Sequence, residues 1–232
     1  MRAIILAGGL GERLRPLTDK MPKPLLPIKG RPLLEHLLMF LKKYDIKEVT
    51  VSVGYKAEMI MDYFGNGEKL GMHIDYVVEK ERLGTGGCLN LLKERPTGTF
   101  IVMNGDNLTN FDLSDMISYH KRKGKKATLA LLEVEDPSAY GVAKIKDNLI
   151  EEFIEKPKKE DAPSNLISSG FYLFEPEVLS LAKGKTHFML EKEVFPILAK
   201  EKELAYYKIN TQWFDVGTLE RYEQAIKEWK GI

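Results

Sequence analysis

The sequence has little of what marks several large classes of protein. Its 232 residues include one cysteine, Cys88, which excludes an intrachain disulfide framework and favours a reducing compartment. No apolar run approaches the length of a transmembrane helix, and the first residues lack a signal-peptide pattern. The net charge is only +1, so no overall field favours nucleic acid or an anionic membrane. We therefore expect a cytoplasmic protein with neither nucleic acid nor membrane as a partner.

Strand-like and helix-like segments alternate along the first part of the chain. Short β-branched runs, such as residues 3–7 and 99–106, alternate with segments of helical periodicity, such as residues 32–45. The alternation predicts an α/β fold with a doubly wound, mostly parallel, Rossmann-like sheet. After about residue 135 the pattern changes to short strands and charged loops. We expect one domain over residues 1–232, with a nucleotide-binding half at 1–135 and a small substrate lobe at 136–232.

Helical periodicity marks several further segments. It predicts helices at residues 86–94, 175–182 and 191–203, and an amphipathic helix at residues 218–230.

The loop after the first strand is rich in glycine and in cations. Residues 7–30 read AGGLGERLRPLTDKMPKPLLPIKG, and a glycine-rich turn after a strand presents backbone N–H groups to a phosphate. The dinucleotide pattern G-x-G-x-x-G fails because Leu14 stands at its last position. The Walker pattern fails because Leu179 stands where Gly184-Lys185-Thr186 needs an upstream glycine. The loop therefore predicts anion binding, but neither hydride transfer nor a standard P-loop ATPase.

The motif G-G-x-G-x-R-L-x-P-L-T, followed by K-P-x-x-P, resembles the signature of the sugar-1-phosphate nucleotidyltransferases. Further blocks similar to that family follow in the family's order and span almost the whole chain: LGTGG, NGD, YGV, FIEKP and WFDVGT. The resemblance implies a Mg²⁺-dependent enzyme of EC class 2.7.7. Such an enzyme joins a nucleoside triphosphate to a sugar 1-phosphate and releases pyrophosphate. These two substrates are the partners we expect.

The resemblance also implies roles for residues of the nucleotide-binding half. Arg13 would hold the β- and γ-phosphates through its planar guanidinium, and Lys23 would neutralise the α-phosphate. Asp106 and Asp215 would hold Mg²⁺, which commonly takes one or two carboxylates together with phosphate oxygens and water. Arg13, Lys23 and Asp106 are the expected catalytic residues. The expected nucleotide contacts in the first loop are Leu6, Ala7, Gly8, Gly9 and Gly11.

In the second lobe, the resemblance implies a site for the sugar phosphate. Glu155 would accept sugar hydroxyls, Lys156 would bind the phosphate of the sugar, and Gly141 would admit the sugar close to the backbone. Ser168 stands where many members of the family have an asparagine, so the identity of the sugar stays open. The remaining expected substrate contacts are Gly84 and Thr85.

Glu79 is the expected reader of the nucleobase. A carboxylate can accept from both N1–H and the N2 amino group of guanine, whereas it would repel the carbonyl oxygens of uracil and thymine. Glu79 therefore favours GTP, and the blocks GYKAEMI, LGTGG and LEKEVFP resemble mannose- and heptose-1-phosphate guanylyltransferases. Asn107 is instead more like the thymidylyltransferases. A glucose-1-phosphate thymidylyl- or uridylyltransferase is the alternative.

Two other functions stay open from the sequence. One is a non-catalytic regulatory module that senses nucleotide-sugars, and the other is a choline-phosphate cytidylyltransferase. The presence of Arg13, Lys23, Asp106 and Asp215 together favours an enzyme, since a non-catalytic relative has no need of all four. The sequence shows no β-helix repeats, so we expect no second activity. We expect a monomer or a homodimer.

Overall fold

The computed structural model describes residues 1–182 and 184–232. Two compact units are present, and each is assembled from separated segments of the chain. The first unit comprises Met1–Arg82, Met103–Phe111 and Thr211–Ile232, and the second comprises Leu83–Val102 and Asp112–Asn210. The division into functional halves at residue 135 stays a prediction.

The first unit contains seven strands and four helices. Its strands are β1 (Arg2–Ala7), β2 (Pro27–Ile28), β3 (Arg31–Pro32), β4 (Glu48–Val53), β5 (His73–Val78), β7 (Asn107–Thr109) and β13 (Trp213–Asp215). Its helices are α1 (Leu17–Lys20), α2 (Leu33–Lys43), α3 (Ala57–Phe64) and α7 (Leu219–Glu228).

The core of the first unit is a parallel sheet. Strand β1 pairs in parallel with β4, and β4 pairs in parallel with β5. Ala3, Ile4, Ile5 and Ala7 of β1 are buried and Leu6 is half-buried, as expected of a parallel strand covered on both faces. Because β1 and its neighbours run in the same direction, the loops that follow them emerge at one edge of the sheet, where open α/β sheets bind ligands.

The described residues of the second unit form five strands and three helices. Its strands are β8 (Ala127–Glu133), β9 (Gly141–Lys146), β10 (Leu149–Glu155), β11 (Leu166–Phe174) and β12 (Leu204–Lys208). Its helices are α4 (Gly84–Gly87), α5 (Leu113–Lys123) and α6 (Phe195–Lys200), and strand β6 (Phe100–Asn104) runs from this unit into the first. Strands β8 and β11 are antiparallel, as are β9 and β10, whereas β12 runs parallel to β8. The predicted α/β fold class is confirmed.

Several predicted helices differ in the structure. The helix predicted at 86–94 is wrong, because α4 gives way to a 3₁₀ turn at Cys88–Leu91. Glycine is a poor helix former, and a run of three glycines among four residues disfavours a longer helix. The helix predicted at 175–182 is a 3₁₀ helix over Pro176–Ala182.

The helix predicted at 191–203 is also different. It is a π-helical turn over Leu190–Val194 followed by the short helix α6, whose first turn contains Pro196. A proline cannot donate a backbone hydrogen bond, so the regular ladder cannot run through this position. The predicted terminal amphipathic helix is confirmed as α7, with Thr218 as its N-cap. Among the described residues, no helix has both the length and the apolar character needed to cross a membrane.

Candidate active site

The glycine-rich loop follows β1 directly and contacts residues of two other loops in the first unit. Gly11 has a φ of 66°, in the left-handed region that favours glycine. A Cβ atom on Gly8 would lie 2.5 Å from Oε1 of Glu79, so a larger residue would collide with that carboxylate. A Cβ atom on Gly9 would meet nothing within 4 Å. The loop backbone is therefore accessible at Gly9 and closely packed at Gly8.

Leu6 and Ala7, at the end of β1, contact the NGD block. The carbonyl oxygen of Leu6 accepts a hydrogen bond of 2.8 Å from the backbone N–H of Gly105. A Cβ atom on Gly105 would lie 3.0 Å from that of Ala7. These contacts place Asp106 beside the end of β1. Direct contact of Leu6 and Ala7 with a substrate stays a prediction.

Lys23 and Asp106 form a close ion pair. Nζ of Lys23 lies 2.6 Å from Oδ2 of Asp106, and the two side chains are 13% and 34% exposed. Burial by itself would raise the pKa of Asp106, but the charges of Lys23 and Arg13 outweigh it and hold that pKa below its ordinary value. Asp106 is therefore ionised.

Asp215 lies beside Asp106 because of strand pairing. Strand β13 runs antiparallel to β7 with Asp215 opposite Asn107, and the N–H of Val216 donates to the carbonyl oxygen of Asp106. Burial and the negative charge of Asp106 raise the pKa of Asp215, while the Arg221 guanidinium, which is hydrogen-bonded to the carboxylate, opposes the rise. The two carboxylates are thus close enough to repel each other.

Arg13 completes this group. Its side chain is exposed, and a Cβ atom on Gly217 would lie 2.7 Å from Oδ1 of Asp215 and 3.1 Å from Nη2 of Arg13. The carboxylate and the guanidinium therefore reach the same point above Gly217. The structure brings together all four of the residues that the first-loop, NGD and WFDVGT motifs singled out: Arg13, Lys23, Asp106 and Asp215.

Two members of this neighbourhood were not found from the sequence. Arg221 lies six positions beyond Asp215, in the first turn of α7, and an arginine just after the WFDVGT block is the signal that could have found it. Ser52 is the other: its hydroxyl donates to Oε1 of Glu79 at 2.5 Å. Nothing in the sequence around Ser52 distinguishes it from an ordinary buried strand residue.

The donor set in the first unit fits Mg²⁺. Among the described residues, no group of three or more His, Cys, Asp or Glu side chains could hold a metal ion by itself. Asp106 and Asp215 together offer two carboxylates, which is the number that Mg²⁺ commonly takes when phosphate oxygens and water complete its shell. A cation between them would also relieve the repulsion that raises the pKa of Asp215.

Glu79 follows β5 and is half-buried against the glycine-rich loop. Its backbone N–H donates to the carbonyl oxygen of Val53, and its carboxylate accepts from Ser52 beside Gly8. Each carboxylate oxygen can accept two hydrogen bonds, so capacity for a nucleobase remains. Glu79 is therefore a fixed side chain at the loop.

In the second unit, Glu155 and Lys156 form a pair at the end of β10. Nζ of Lys156 lies 3.3 Å from Oε1 of Glu155, and the side chains are 61% and 11% exposed. A Cβ atom on Gly141 would lie 2.3 Å from the ring of Phe153 and 3.0 Å from Oε2 of Glu155. Gly141 thus makes room for the chain's own side chains. Its contact with a sugar stays a prediction.

Lys156 has an unusual backbone conformation. Its φ is 51°, in the left-handed region, where a residue with a side chain costs about 1 kcal/mol or more. A glycine would suit that backbone better. Six other described residues with side chains share this region, Lys202 among them, so the conformation alone does not mark Lys156 as a site residue.

Thr85 is hydrogen-bonded within the second unit. Its hydroxyl donates to Oε2 of Glu191 and accepts a 3.0 Å hydrogen bond from the N–H of Leu190. The sequence had indicated the LEKEVFP block without assigning a role to Glu191. Burial raises the pKa of the Glu191 carboxyl, and the hydrogen bond from Thr85 opposes that rise. Gly84, just before Thr85, has a φ of 73°.

Ser168 is buried in β11, where its residue is 9% exposed. Its hydroxyl donates to Oη of Tyr172 and accepts from the N–H of Gly170, both at 3.2 Å. These partners lie within the same strand, at the irregularity between Ser168 and Tyr172. Contact of Ser168 with a sugar stays a prediction.

Comparison with known proteins gives consistent results. The model of the family described as nucleotidyl transferase matches residues 2–230. Mannose-1-phosphate guanyltransferase beta-B of Xenopus laevis is 39% identical over 223 residues, and the Saccharomyces cerevisiae mannose-1-phosphate guanyltransferase is 37% identical over 225. Each match covers 94% of this chain and 61% of the relative. The chain therefore spans about three fifths of the length of these curated relatives.

Solved structures are similar over almost the whole chain. A putative glucose-1-phosphate thymidylyltransferase from Bacillus anthracis, in complex with a sucrose, superposes with a TM-score of 0.92 at 28% identity. That match covers 100% of this chain and 96% of the other. HddC from Yersinia pseudotuberculosis superposes with a TM-score of 0.83 at 28% identity and covers 99% of both chains.

Proposed function

Because the chain belongs to the nucleotidyl transferase family, we propose that it transfers a nucleotidyl group from GTP to a sugar 1-phosphate of the mannose or heptose type. The products are a nucleotide-sugar and pyrophosphate. The names of the Xenopus and yeast relatives support both the reaction and the choice of GTP.

One observation carries the proposal. Lys23 lies 2.6 Å from Asp106, and Arg13 and Asp215 belong to the same group of charges. A reaction between two anionic phosphates needs positioning and charge neutralisation more than it needs covalent chemistry. Two cations and two carboxylates meet both needs.

The reaction needs no covalent intermediate on the protein. A phosphate oxygen of the sugar 1-phosphate attacks the α-phosphorus and forms a new P–O bond, while the bond between the α-phosphorus and the bridging oxygen breaks. The bridging oxygen leaves with pyrophosphate. Arg13 binds the β- and γ-phosphates, and Lys23 neutralises the charge that develops on the α-phosphate.

Asp106 and Asp215 are the residues that would hold Mg²⁺. The ion would supply positive charge to the phosphate oxygens and so reduce their repulsion. The Asp106 carboxylate that would hold the ion is paired with Lys23, the residue assigned to the α-phosphate.

The second unit provides the residues that we assign to the sugar. Glu155 accepts sugar hydroxyls, and the exposed Lys156 binds the phosphate. The ion pair between them supports this assignment, since it holds the carboxylate and the ammonium next to each other at the end of β10. We retain residues 1–135 as the nucleotide-binding half and residues 136–232 as the sugar-phosphate half of one domain.

The choice of base rests on Glu79. Its carboxylate lies beside Gly8 and is fixed by Ser52, which supports recognition of the two adjacent donors of guanine. A second candidate is a glucose-1-phosphate thymidylyltransferase, favoured by Asn107 and by the name of the Bacillus anthracis neighbour.

The cellular compartment and the oligomeric state are inferred from the sequence. Cys88 is the one cysteine in the sequence and is buried, so no intrachain disulfide can form, which supports a reducing, cytoplasmic compartment. Activity as a monomer or homodimer remains our expectation from the sequence.

The proposal is tested by a matrix of substrates. GTP, dTTP, UTP, CTP and ATP are each incubated with mannose, heptose and glucose 1-phosphates and with choline phosphate, and pyrophosphate release is measured. We expect the highest turnover with GTP and a mannose- or heptose-type acceptor. Turnover with dTTP and glucose 1-phosphate would favour the second candidate, turnover with choline phosphate would favour the cytidylyltransferase, and no turnover would favour a regulatory module.

A further inference from the structure

Glu191 is a buried carboxylate to which the proposed reaction assigns no role. Its residue is 7% exposed, and its Oε2 accepts a hydrogen bond from Thr85. Over residues 1–182 and 184–232, no cation lies within salt-bridge distance of Glu191. Burial raises the pKa of this carboxyl, and the hydrogen bond from Thr85 and the charge of Lys156 only oppose that rise. A buried carboxyl with no salt bridge costs free energy when it is ionised, so a side chain of this kind needs an explanation other than stability.

The backbone around Glu191 is also irregular. Leu190–Val194 forms a π-helical turn, and π-helical turns are rare and occur frequently at functional sites. Within this turn Glu191 is buried, whereas the next residue, Lys192, is exposed. The irregular turn thus coincides with the buried carboxylate.

The hydroxyl of Thr85 forms two hydrogen bonds to this segment, one as donor and one as acceptor. A threonine hydroxyl has one proton, which goes to Glu191, and its oxygen accepts the N–H of Leu190. Two backbone hydrogen bonds of 3.0 Å join the same segments, from Gly86 to Phe188 and from Phe188 to Leu83. In this arrangement the proton of the Thr85 hydroxyl is bonded to Glu191 and is not available to a substrate.

We propose that Glu191 is a positioning residue, whose carboxylate fixes the Thr85 hydroxyl and thereby the Gly84–Gly87 turn for substrate binding. The inference rests on the proposed function and on the expectation from the sequence that Gly84 and Thr85 contact a substrate. Displacement of a positioned group by about 1 Å can cost on the order of a hundredfold in rate, so a buried hydrogen bond of this kind has a measurable effect.

A double-mutant cycle tests the inference. Glu191→Ala and Thr85→Val each remove one side of the hydrogen bond, and the double variant removes both. We expect each single variant to lose roughly tenfold to a hundredfold in kcat/KM, mostly through KM, and the double variant to be no worse than the poorer single one. Thr85→Ser and Glu191→Gln, which keep the donor and the acceptor, should restore activity to within a few-fold of the native protein.

Glu193→Ala is the matched control. Glu193 lies in the same turn, where its carboxylate pairs with Lys185 at the surface and accepts a hydrogen bond from the N–H of Met189. It is not bonded to Thr85, so its loss should leave KM unchanged. Additive losses in the cycle, a Thr85→Ser variant as impaired as Thr85→Val, or a lower melting temperature with unchanged KM would each overturn the inference. If the native chain releases no pyrophosphate with any substrate pair, the proposed function fails separately. The same cycle, measured by calorimetric binding of GTP and of mannose 1-phosphate, then decides the inference.

Discussion

Lys23 donates a 2.6 Å hydrogen bond to Asp106, so the lysine assigned to the α-phosphate is bonded to a carboxylate assigned to Mg²⁺. Without substrate, each charge compensates the other in a half-buried position. With substrate, the same two groups can turn to a phosphate and to a cation. The pair therefore holds the ammonium and the carboxylate that we assign to the reaction in position before substrate binds.

Loss of Lys23 should lower the rate of the chemical step more than it weakens the binding of substrates. We expect Lys23→Ala to lower kcat by on the order of a hundredfold to a thousandfold, because a fixed cation at developing charge contributes about 3–4 kcal/mol. Steady-state kinetics with saturating substrates measure this loss. Lys20→Ala, which removes an exposed lysine from the same loop, is the control and should retain native kcat. A Lys23→Ala variant with near-native kcat would refute the assigned role.

Arg221 should determine the pH at which activity is lost on the acid side. Metal binding needs ionised Asp215, and burial and Asp106 raise the pKa of Asp215 while Arg221 lowers it. Removing the guanidinium disfavours the ionised carboxylate, so Arg221→Gln should move the acid limb of the kcat/KM profile to higher pH. Added Mg²⁺ should move it back. Arg31→Gln, at an exposed pair with Glu35, should leave the profile unchanged, and an unshifted limb in Arg221→Gln would contradict the account.

Lys156→Gly should separate stability from function. A glycine relieves the left-handed backbone, so the free energy of unfolding should stay level or rise by up to about 1 kcal/mol. The KM for the sugar 1-phosphate should rise far more than the KM for GTP, because the phosphate loses its cation. Denaturant unfolding and steady-state kinetics measure the two effects.

Lys202→Gly is the matched control for that variant. Lys202 has a φ of 58° and is exposed, so its replacement should give a similar change in stability with no change in either KM. Equal effects of Lys156→Gly on the KM of both substrates would place Lys156 outside the sugar-phosphate site.

Glu79→Gln should change the preference among bases. A carboxylate accepts from both donors of guanine, whereas an amide can also donate to a carbonyl oxygen of uracil or thymine. We expect GTP to exceed UTP and dTTP clearly in the native protein, and the variant to narrow or reverse the ratio of kcat/KM values. Glu81→Gln, a neighbouring exposed position, is the control. A native protein that prefers dTTP would make the guanylyl assignment wrong and leave the transferase assignment intact.

The parts of this site that sequence predicted are those carried by local motifs. The first loop, NGD and WFDVGT are recognised through their resemblance to a known family, and strand pairing brings Asp106 and Asp215 together. The hydrogen bond between Thr85 and Glu191 could not be predicted from the sequence, because it joins residues 106 positions apart and one of them lies in a π-helical turn. The sequence around that turn has ordinary helical periodicity, and Pro196 is the only local sign that a regular helix fails.

The sequence also does not predict which group occupies the space beside a glycine. Gly141 was expected to admit a sugar, yet the ring of Phe153 and the carboxylate of Glu155 occupy the space where its Cβ would lie. A sequence shows that a position lacks a side chain but does not show which neighbour uses the space. Packing between strands β9 and β10 decides that question, and packing is not local in sequence.

The fate of the α-phosphorus tests the central claim most directly. GTP radiolabelled at the α-phosphorus, and in a parallel reaction at the γ-phosphorus, is incubated with mannose 1-phosphate, Mg²⁺ and the native protein, and the products are separated. Asp106→Asn serves as the inactive control. The account predicts that the α-label appears in a nucleotide-sugar and the γ-label in pyrophosphate. An α-label that remains in GDP with the γ-label in inorganic phosphate would show simple hydrolysis and contradict it.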